Sequence, residues 1–194
     1  MRSFILYPFL AFLLLQSNVY SAPEKKALEV PIINIQRDLD GDGKADVAKI
    51  YLDEGVPFLK INSASPFAID FVGPDYKVIN FETQLINKSS PPLLLLHFKE
   101  GGTGTVEQYE KTTLYLFRWD GKQLHLVIKL PTFISKYDYK KEKQVITQVK
   151  YKFIDINKDE ILDLVIDEKT DGVSKQKTYL WDPKQNKFSE PPQP

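Results

Sequence analysis

The chain has 194 residues, and its 26 basic and 26 acidic side chains balance to a formal net charge of zero. This balance argues against a protein dedicated to binding nucleic acid or an anionic membrane, because both targets require a basic surface. The absence of cysteine excludes a disulfide framework and a lipid-modified cysteine anchor.

Residues 1–21 have the pattern of a secretory signal peptide. A positive start at Arg2 precedes an apolar run from Phe4 to Leu15, and a polar stretch with small residues ends at Ser21. The run is too short for a membrane span, so we expect cleavage; an uncleaved anchor helix is the alternative. The prediction is an exported protein, periplasmic or secreted, with no stable membrane span after cleavage.

The first acidic loop follows a short apolar run at residues 30–35. Counted from Asp38, aspartates occupy positions 1, 3, 5 and 9, a glycine occupies position 6, and position 7 offers a backbone carbonyl. The candidate ligands of this loop are Asp38, Asp40, Asp42, Lys44 and Asp46. Four carboxylates this close repel one another unless a cation lies among them, and Ca²⁺ selects such oxygen ligands in a tight loop.

The segments that follow the first loop predict short strands between turn-forming residues. Residues 46–52, 58–61 and 67–72 are rich in β-branched and aromatic side chains, and prolines separate them. The most apolar run, 93–98, predicts a central strand covered on both faces, with a buried helix as the alternative. The glycine-rich stretch 101–105 lacks the lysine and the final glycine of a phosphate-binding loop, so we expect a hairpin or surface loop there.

Two further hairpins are predicted in the second half of the chain. Residues 112–119 and 123–130 flank the dipeptide Asp120-Gly121, which is a strong hairpin signal. The lysine- and tyrosine-rich stretch 133–153 has two interpretations, a solvated hairpin or a stacking platform for single-stranded nucleic acid. Export and the neutral charge favour the hairpin, so we expect no nucleic-acid partner.

A second acidic loop repeats the spacing of the first loop. Its candidate ligands, at positions 1, 3, 5, 7 and 9, are Asp155, Asn157, Asp159, Ile161 and Asp163. Glu160 replaces the glycine of position 6, and a left-handed backbone there costs roughly 1 kcal/mol for a residue with a side chain. Asn157 also removes one negative charge. We therefore expect one or two Ca²⁺ sites, with the first loop binding more tightly than the second.

Neither loop fits the helical calcium hand. That loop requires a bidentate glutamate at position 12 and a helix on each side. Position 12 is Lys49 in the first loop and Ile166 in the second, and a strand-like run follows each loop.

Similar segments recur along the chain and predict an internal repeat. Residues 119–123 (Trp-Asp-Gly-Lys-Gln) resemble residues 181–185. The two acidic loops lie about twice as far apart in the sequence as these two segments do. Chance similarity between hairpin turns is the alternative. Because no stretch has a convincing amphipathic helical period, we predict an all-β domain over residues 22–190. It is either propeller-like or a stack of antiparallel sheets with calcium-binding inter-strand loops, and a disordered proline-rich tail follows at 191–194.

The acidic loop followed by a strand resembles the calcium loops of FG-GAP/VCBS repeat proteins, the extracellular β-propeller repeats also found in integrin α chains. Residues 38–46 and 153–166 carry this resemblance, with a departure at Glu160. It implies that each loop lies between two strands of a blade and that its metal is structural. The segment 153–188 also resembles small periplasmic calcium-binding proteins related to lysozyme inhibitors, which implies a propeller-like fold that blocks a peptidoglycan hydrolase.

The sequence offers no evident catalytic group. Only two histidines are present, His97 and His125, and both lie within apolar strand patterns. We therefore predict a non-enzyme: an exported calcium-binding β-repeat module that binds a protein or a cell-surface glycan. The alternatives are an inhibitor or immunity protein, whose stretch 101–106 would enter the cleft of a peptidoglycan hydrolase, and, less favoured, a cell-wall or glycan hydrolase.

Overall fold

The structure is a computed structural model that describes residues 31–70, 75–105 and 107–191. The predicted signal peptide, residues 1–21, and the last three residues of the predicted tail lie outside the described residues. In the described ranges, no helix is long and apolar enough to cross a membrane.

Strands in sequence order build the described part of the chain. They are β1 (Pro31–Arg37), β2 (Asp46–Asp53), β3 (Val56–Ile61), β4 (Phe67–Ala68), β5 (Asp75–Gln84), β6 (Leu93–Thr103), β7 (Glu107–Trp119), β8 (Leu124–Asp138), β9 (Lys143–Ile154), β10 (Asp163–Thr170), β11 (Val173–Asp182) and β12 (Lys187–Ser189). Strands β1 to β4 form a four-stranded antiparallel sheet, and β5 to β12 form an eight-stranded one. The predicted all-β class is confirmed, and of the two predicted arrangements the described residues adopt antiparallel sheets rather than a propeller.

Strand β6 is the centre of the fold because both of its faces are buried. Leu94 and Leu96 belong to one apolar cluster, whereas Leu93 and Leu95 belong to another. This alternation follows the period of a strand, so one cluster lies on each face of β6. The predicted central strand is confirmed, and the helical alternative is wrong.

The first cluster packs the four-stranded sheet against one face of the large sheet. Its buried members are Leu39, Ala48, Ile50, Leu59, Ile61, Ile69, Phe81, Leu94, Leu96, Phe98, Tyr115, Phe117 and Trp119. Burial of each large apolar side chain contributes about 1.5–3 kcal/mol. This cluster is therefore the main interaction between the two sheets.

The second cluster lies between two parts of the eight-stranded sheet, because this sheet bends and its last strands pack on its earlier ones. Its buried members are Ile86, Leu93, Leu95, Leu114, Leu116, Leu164, Ile166, Trp181 and Phe188. Strand β8 pairs with β7 along its whole length, from Leu124 to Asp138, but with β9 only from Phe133 to Asp138. A register irregularity near Pro131 separates the part that pairs with β9 from the rest of β8, and such a bulge bends a strand. Strands β9 to β12 therefore cover the second face of β6 and β7.

Both hairpins predicted in the second half are confirmed. Between β7 and β8, Asp120 accepts the amide N–H groups of Lys122 (2.9 Å) and Gln123 (2.7 Å), and Gly121 has a φ of +86°. Residues along β9 alternate between exposed and half-buried positions. The lysine-rich hairpin of β8 and β9 is thus solvated on one face, as the strand interpretation requires.

The hairpin predicted at residues 101–105 is confirmed, with a shorter turn than the glycines suggest. Its turn begins at Gly104, whose amide donates to the Glu107 carbonyl (2.8 Å), and residues 101–103 belong to strand β6, which continues to Thr103. The strand predicted at 67–72 is reduced to the two residues of β4, because only those two pair with β3. Residues 71–72 lie outside the described residues.

Candidate metal centre

The first acidic loop connects β1 to β2 in the four-stranded sheet. Asp38 accepts hydrogen bonds from the amides of Gly41 (2.7 Å) and Gly43 (2.9 Å), and both glycines have positive φ, +84° and +83°. Asp40 and Asp42 each accept the amide two residues further on, at 3.0 and 2.7 Å. The loop backbone thus winds around the carboxylate of Asp38, and the glycine at position 6, Gly43, supplies the left-handed conformation that this path requires.

Three carboxylates of this loop converge. One oxygen from each of Asp38, Asp40 and Asp42 lies within 4.8 Å of the other two. Two oxygens bound to the same Ca²⁺ are at most about 5 Å apart, because each Ca–O distance is about 2.5 Å. The three oxygens are therefore close enough to share one calcium ion. Asp42 is exposed, so water can reach the remaining coordination positions.

The second acidic loop connects β9 to β10 and repeats the hydrogen bonding of the first. Asp155 accepts the amides of Lys158 (2.6 Å) and Glu160 (3.0 Å), which occupy the positions of Gly41 and Gly43. Lys158 and Glu160 have φ values of +63° and +65°. The left-handed backbone predicted at Glu160 is confirmed. Lys158 adopts it as well, which the ligand spacing alone does not indicate.

Asn157 alters the chemistry of the second loop. Its side-chain amide donates to Asp159 Oδ2 at 2.9 Å, and the other oxygen of Asp159 accepts the amide of Ile161, also at 2.9 Å. Asn157 thus takes the place of one carboxylate at position 3, and its side chain occupies an oxygen of the carboxylate at position 5, that of Asp159. In the first loop the corresponding Asp42 Oδ2 lies 3.7 Å from the exposed ammonium of Lys44.

The aspartates at position 9, Asp46 and Asp163, are bound into the fold. Each accepts the amide of position 2 of its own loop, at 2.9 and 3.1 Å. The second oxygen of Asp46 accepts the side-chain amide of Asn62 (2.6 Å), and that of Asp163 accepts the backbone amide of Trp181 (3.1 Å). Both carboxylates are buried, at 7% and 1% exposed. Their role as metal ligands stays a prediction. Their structural role as acceptors of amide hydrogen bonds could not be predicted from the spacing of the ligands.

The first loop lies against the eight-stranded sheet. A Cβ built on Gly121, in the β7–β8 turn, would lie 2.7 Å from Asp40 Oδ2. On the other side, a Cβ on Gly41 would lie 3.2 Å from Pro91, just before β6. The loop therefore belongs to one sheet and is packed on the turns of the other.

The second loop lies against the connection between β5 and β6. The amide of Leu162 donates to the carbonyl of Ile86 at 2.8 Å. A cleft of about 560 Å³ separates Asp155 and Asp159 from residues 87–89 of this connection. Both acidic loops thus contact the same segment, residues 86–91, whose only sequence signal is a pair of prolines.

The two histidines have partners in the fold. His97 Nε2 lies 2.7 Å from the hydroxyl of Tyr151, and burial lowers the pKa of His97 against the opposing effect of the Glu82 carboxylate. His125 Nε2 lies 2.6 Å from Asp120 Oδ2. Amide donation within the β7–β8 turn, reinforced by His125, holds the pKa of Asp120 well below its usual range. These contacts give each imidazole a structural role.

No protein family, no curated protein and no solved structure matches the chain. The resemblance to FG-GAP/VCBS repeats and to lysozyme inhibitors stays a prediction.

Proposed function

We propose that the protein is an exported, non-enzymatic β-module that Ca²⁺ stabilises and that binds a protein or a cell-surface glycan. The convergence of Asp38, Asp40 and Asp42 oxygens within 4.8 Å carries this proposal. Three carboxylates at this separation repel one another strongly, and a divalent cation removes the repulsion. Oxygen donors with access to water are the ligands that Ca²⁺ prefers.

The position of the first loop gives the ion a mechanical role. Asp40 touches Gly121 of the large sheet, while Asp38 and Asp42 lie in the small sheet's own β1–β2 connection. An ion that fixes these three carboxylates also fixes the loop against the β7–β8 turn. Calcium thus strengthens the packing of one sheet on the other and leaves the remaining surface rigid for a partner.

The second loop is the weaker site in this proposal. Asn157 lowers the negative charge and engages Asp159, so less repulsion remains for an ion to relieve. The loop is already held by the two backbone hydrogen bonds that Asp163 accepts. It forms without an ion, and calcium adds less to its stability.

A calcium titration of residues 22–194 by calorimetry, with thermal melts in calcium and in EDTA, tests the proposal. At a free calcium concentration of 100 times the Kd, binding adds about 2.7 kcal/mol to the free energy of unfolding. Asp42→Ala is expected to lose most of this gain, whereas Asp159→Ala, its counterpart in the second loop, loses less. An identical melting temperature in calcium and EDTA contradicts the proposal.

A second candidate function is inhibition of a cell-wall hydrolase. The tip of the β6–β7 hairpin favours it, because residues 103–105 and 107–108 are exposed. A projecting hairpin of this kind can enter an active-site cleft. The test is a panel of peptidoglycan hydrolases assayed with the protein and with a variant in which Gln108 is replaced by arginine. Inhibition that the substitution abolishes supports this function, and full hydrolase activity throughout contradicts it.

A further inference from the structure

Residues 86–91, in the connection between β5 and β6, touch both acidic loops. The first loop belongs to the four-stranded sheet and the second to the eight-stranded sheet, so the two loops share no strand. The segment meets the second loop at Ile86 and the first loop at Pro91. These two residues are five positions apart, so at most about 18 Å of chain joins them. The segment is therefore a short physical link between the two loops.

The end of the segment at the first loop is stiff. A Cβ built on Gly41 would lie 3.2 Å from Pro91 Cγ and 4.0 Å from its Cδ, so the loop backbone passes directly over this ring. Pro91 is followed by Pro92, which is buried. The ring of each proline fixes its φ, and a proline also restricts the residue before it. A displacement of Gly41 therefore moves the segment, because rotation at Pro91 cannot absorb it.

The end at the second loop is held on both sides of Asp163. The amide of Leu162 donates to the carbonyl of Ile86 at 2.8 Å. The side chain of Ile86 is 1% exposed and belongs to the second cluster together with Leu164. Asp163, between these two residues, closes the loop by accepting the amide of Ile156. A shift of Ile86 therefore acts directly on the residue that holds the second loop.

The middle of the segment is less firmly held than its ends. Asn87 Oδ1 accepts the amide of Ser89 at 2.8 Å, which forms a local turn. The hydroxyl of Ser90 is buried and has no hydrogen-bond partner among the described residues. Lys88 and Ser89 are exposed and line the cleft of about 560 Å³ on the side of Asp155. An unpaired buried hydroxyl is unfavourable, and the cleft offers space, so a second position of the middle residues is accessible.

We propose that residues 86–91 are a strap that couples the two acidic loops, so that ordering of one loop stabilises the other. Calcium at the first loop fixes Gly41 against Pro91 and reduces the freedom of the strap, so less disorder remains for calcium to remove at the second loop. The coupling is reciprocal, because the free energy that links two binding equilibria is the same in both directions. The inference rests on the proposed function and assigns its regulation to a segment outside the candidate ligands.

A pair of glycines in the first loop tests the strap without any metal. Gly41 and Gly43 have nearly the same φ, +84° and +83°, so alanine strains the backbone similarly at both positions. Only the Cβ at Gly41 meets Pro91, whereas the Cβ at Gly43 lies within 4 Å of no described atom. In EDTA, Gly41→Ala is expected to lower the protection of the Leu162 amide from hydrogen exchange about fivefold. Gly43→Ala is expected to leave it as in the parent protein.

This protection is measured relative to the slowest-exchanging amides of β7. Those amides report global unfolding, so the ratio removes any difference in overall stability between the variants. If Gly41→Ala does not fold, Pro91→Ala replaces it, because this change removes the ring carbons that Gly41 faces. Pro66→Ala, at an exposed proline between β3 and β4, is the matched control.

The second experiment measures the coupling of calcium binding. Titrations are followed by the backbone amide resonances of each loop separately. Asp42→Ala, which weakens the first site, is expected to weaken calcium binding at the second loop about fivefold, at the lower end of typical coupling between sites. In a Pro91→Ala background, Asp42→Ala is expected to have no effect on the second loop. In a Pro66→Ala background, the fivefold effect is expected to remain.

The outcomes separate the strap from the proposed function. An equal loss of Leu162 protection in the two glycine variants overturns the strap, and so does a coupling that Pro91→Ala leaves unchanged. Calcium binding at two independent loops overturns only the strap. If calcium does not bind, the proposed role of the ion is wrong, and the comparison in EDTA still decides whether the strap couples the loops.

Discussion

The two acidic loops follow the same backbone path with different residues. In the first loop, glycines occupy both left-handed positions and three carboxylates converge. In the second loop, Lys158 and Glu160 occupy the left-handed positions, and Asn157 interrupts the row of carboxylates. The shared path therefore does not depend on glycine or on maximal charge. It depends on the aspartates at positions 1 and 9, which accept backbone amides in both loops.

The difference separates folding from ion binding. Positions 1 and 9 shape each loop through hydrogen bonds that form without an ion. The loops diverge at position 3, where Asn157 replaces the carboxylate of Asp40 and donates to Asp159 at position 5. We infer that a loop of this kind keeps its shape after its affinity for calcium has weakened, because the change at position 3 removes charge and leaves the hydrogen bonds of positions 1 and 9 in place.

The largest expected effect comes from removing a position-9 aspartate. Asp163→Ala leaves the buried amide of Trp181 and the part-buried amide of Ile156 without an acceptor, and its expected cost is about 2–4 kcal/mol of unfolding free energy. Asp46→Ala is expected to cost less, since one of its donors is the side chain of Asn62, which can turn toward water. Urea unfolding in EDTA measures both. A cost below about 1 kcal/mol for Asp163→Ala contradicts the proposed structural role.

A change of pH is expected to affect the stability of the eight-stranded sheet, which carries the second loop, more than that of the four-stranded sheet, which carries the first. His97 contacts Tyr151 on β9, the strand that leads into the second loop. Burial lowers the pKa of His97 below its ordinary value of 6.5, so in mildly acidic solution the unfolded chain binds more protons than the folded protein. Stability contributed by neutral His97 is therefore present above about pH 6.5 and falls as the pH decreases, by at most about 1.4 kcal/mol per pH unit.

Urea unfolding at several pH values, in EDTA, checks this dependence. His97→Gln keeps a hydrogen-bonding side chain and removes the titration, so the variant is expected to lose the part of the slope that His97 supplies. In hydrogen exchange, the protection of backbone amides relative to their intrinsic rates is expected to decrease more on mild acidification at residues 155–163 than at residues 38–46. An equal decrease in both loops would show that the two sheets do not respond separately.

The contact between Asp40 and Gly121 allows a test that is specific to the first loop. Gly121→Ala introduces a Cβ 2.7 Å from Asp40 Oδ2 and strains a backbone with φ of +86°. Gly172→Ala is the matched control, because Gly172 has φ of +87° and no atom within 4 Å of its Cβ position. Both variants are expected to lose about 1–2 kcal/mol without calcium, but only Gly121→Ala is expected to weaken calcium binding by calorimetry. Equal calcium affinities would contradict the proposed bracing of Asp40.

The smallest expected effect is a gain in stability in the second loop. Glu160→Gly relieves left-handed strain of about 1–2 kcal/mol but increases the freedom of the unfolded chain, so the net gain is about 0.5–1 kcal/mol. Lys158→Gly is expected to behave in the same way. The reverse change in the first loop, Gly43→Glu, is expected to destabilise by a similar amount. Thermal melts in EDTA compare the three variants, and destabilisation by both glycine substitutions would contradict the strain.

Local patterns predicted much of the fold. The alternation of Leu93 to Leu96 between two clusters follows from an apolar run too short for a helix, and Asp120-Gly121 specified its hairpin through turn chemistry. Boundaries set by pairing could not be predicted in this way. The end of β4 depends on how far β3 pairs with it, and the extension of β6 to Thr103 depends on β7.

For the candidate metal centre, the spacing of acidic residues identified both loops and the strained backbone at Glu160. It did not distinguish carboxylates that face a common point from those that accept backbone amides. Asp42 and Asp46 look alike in the sequence, yet Asp42 is exposed and Asp46 is buried against Asn62. That distinction depends on a residue sixteen positions away.

The sequence by itself determined the class of the fold, the hairpin turns and the residues of the two loops, because strand period, turn preference and ligand spacing act over a few residues. Only the tertiary structure decided where these elements meet. It placed Gly121 against Asp40, joined both loops to the 86–91 connection, and set Asp75 and Glu110 on either side of Gly101. Such contacts come from sheet pairing and packing between distant segments, for which no local pattern exists in the chain.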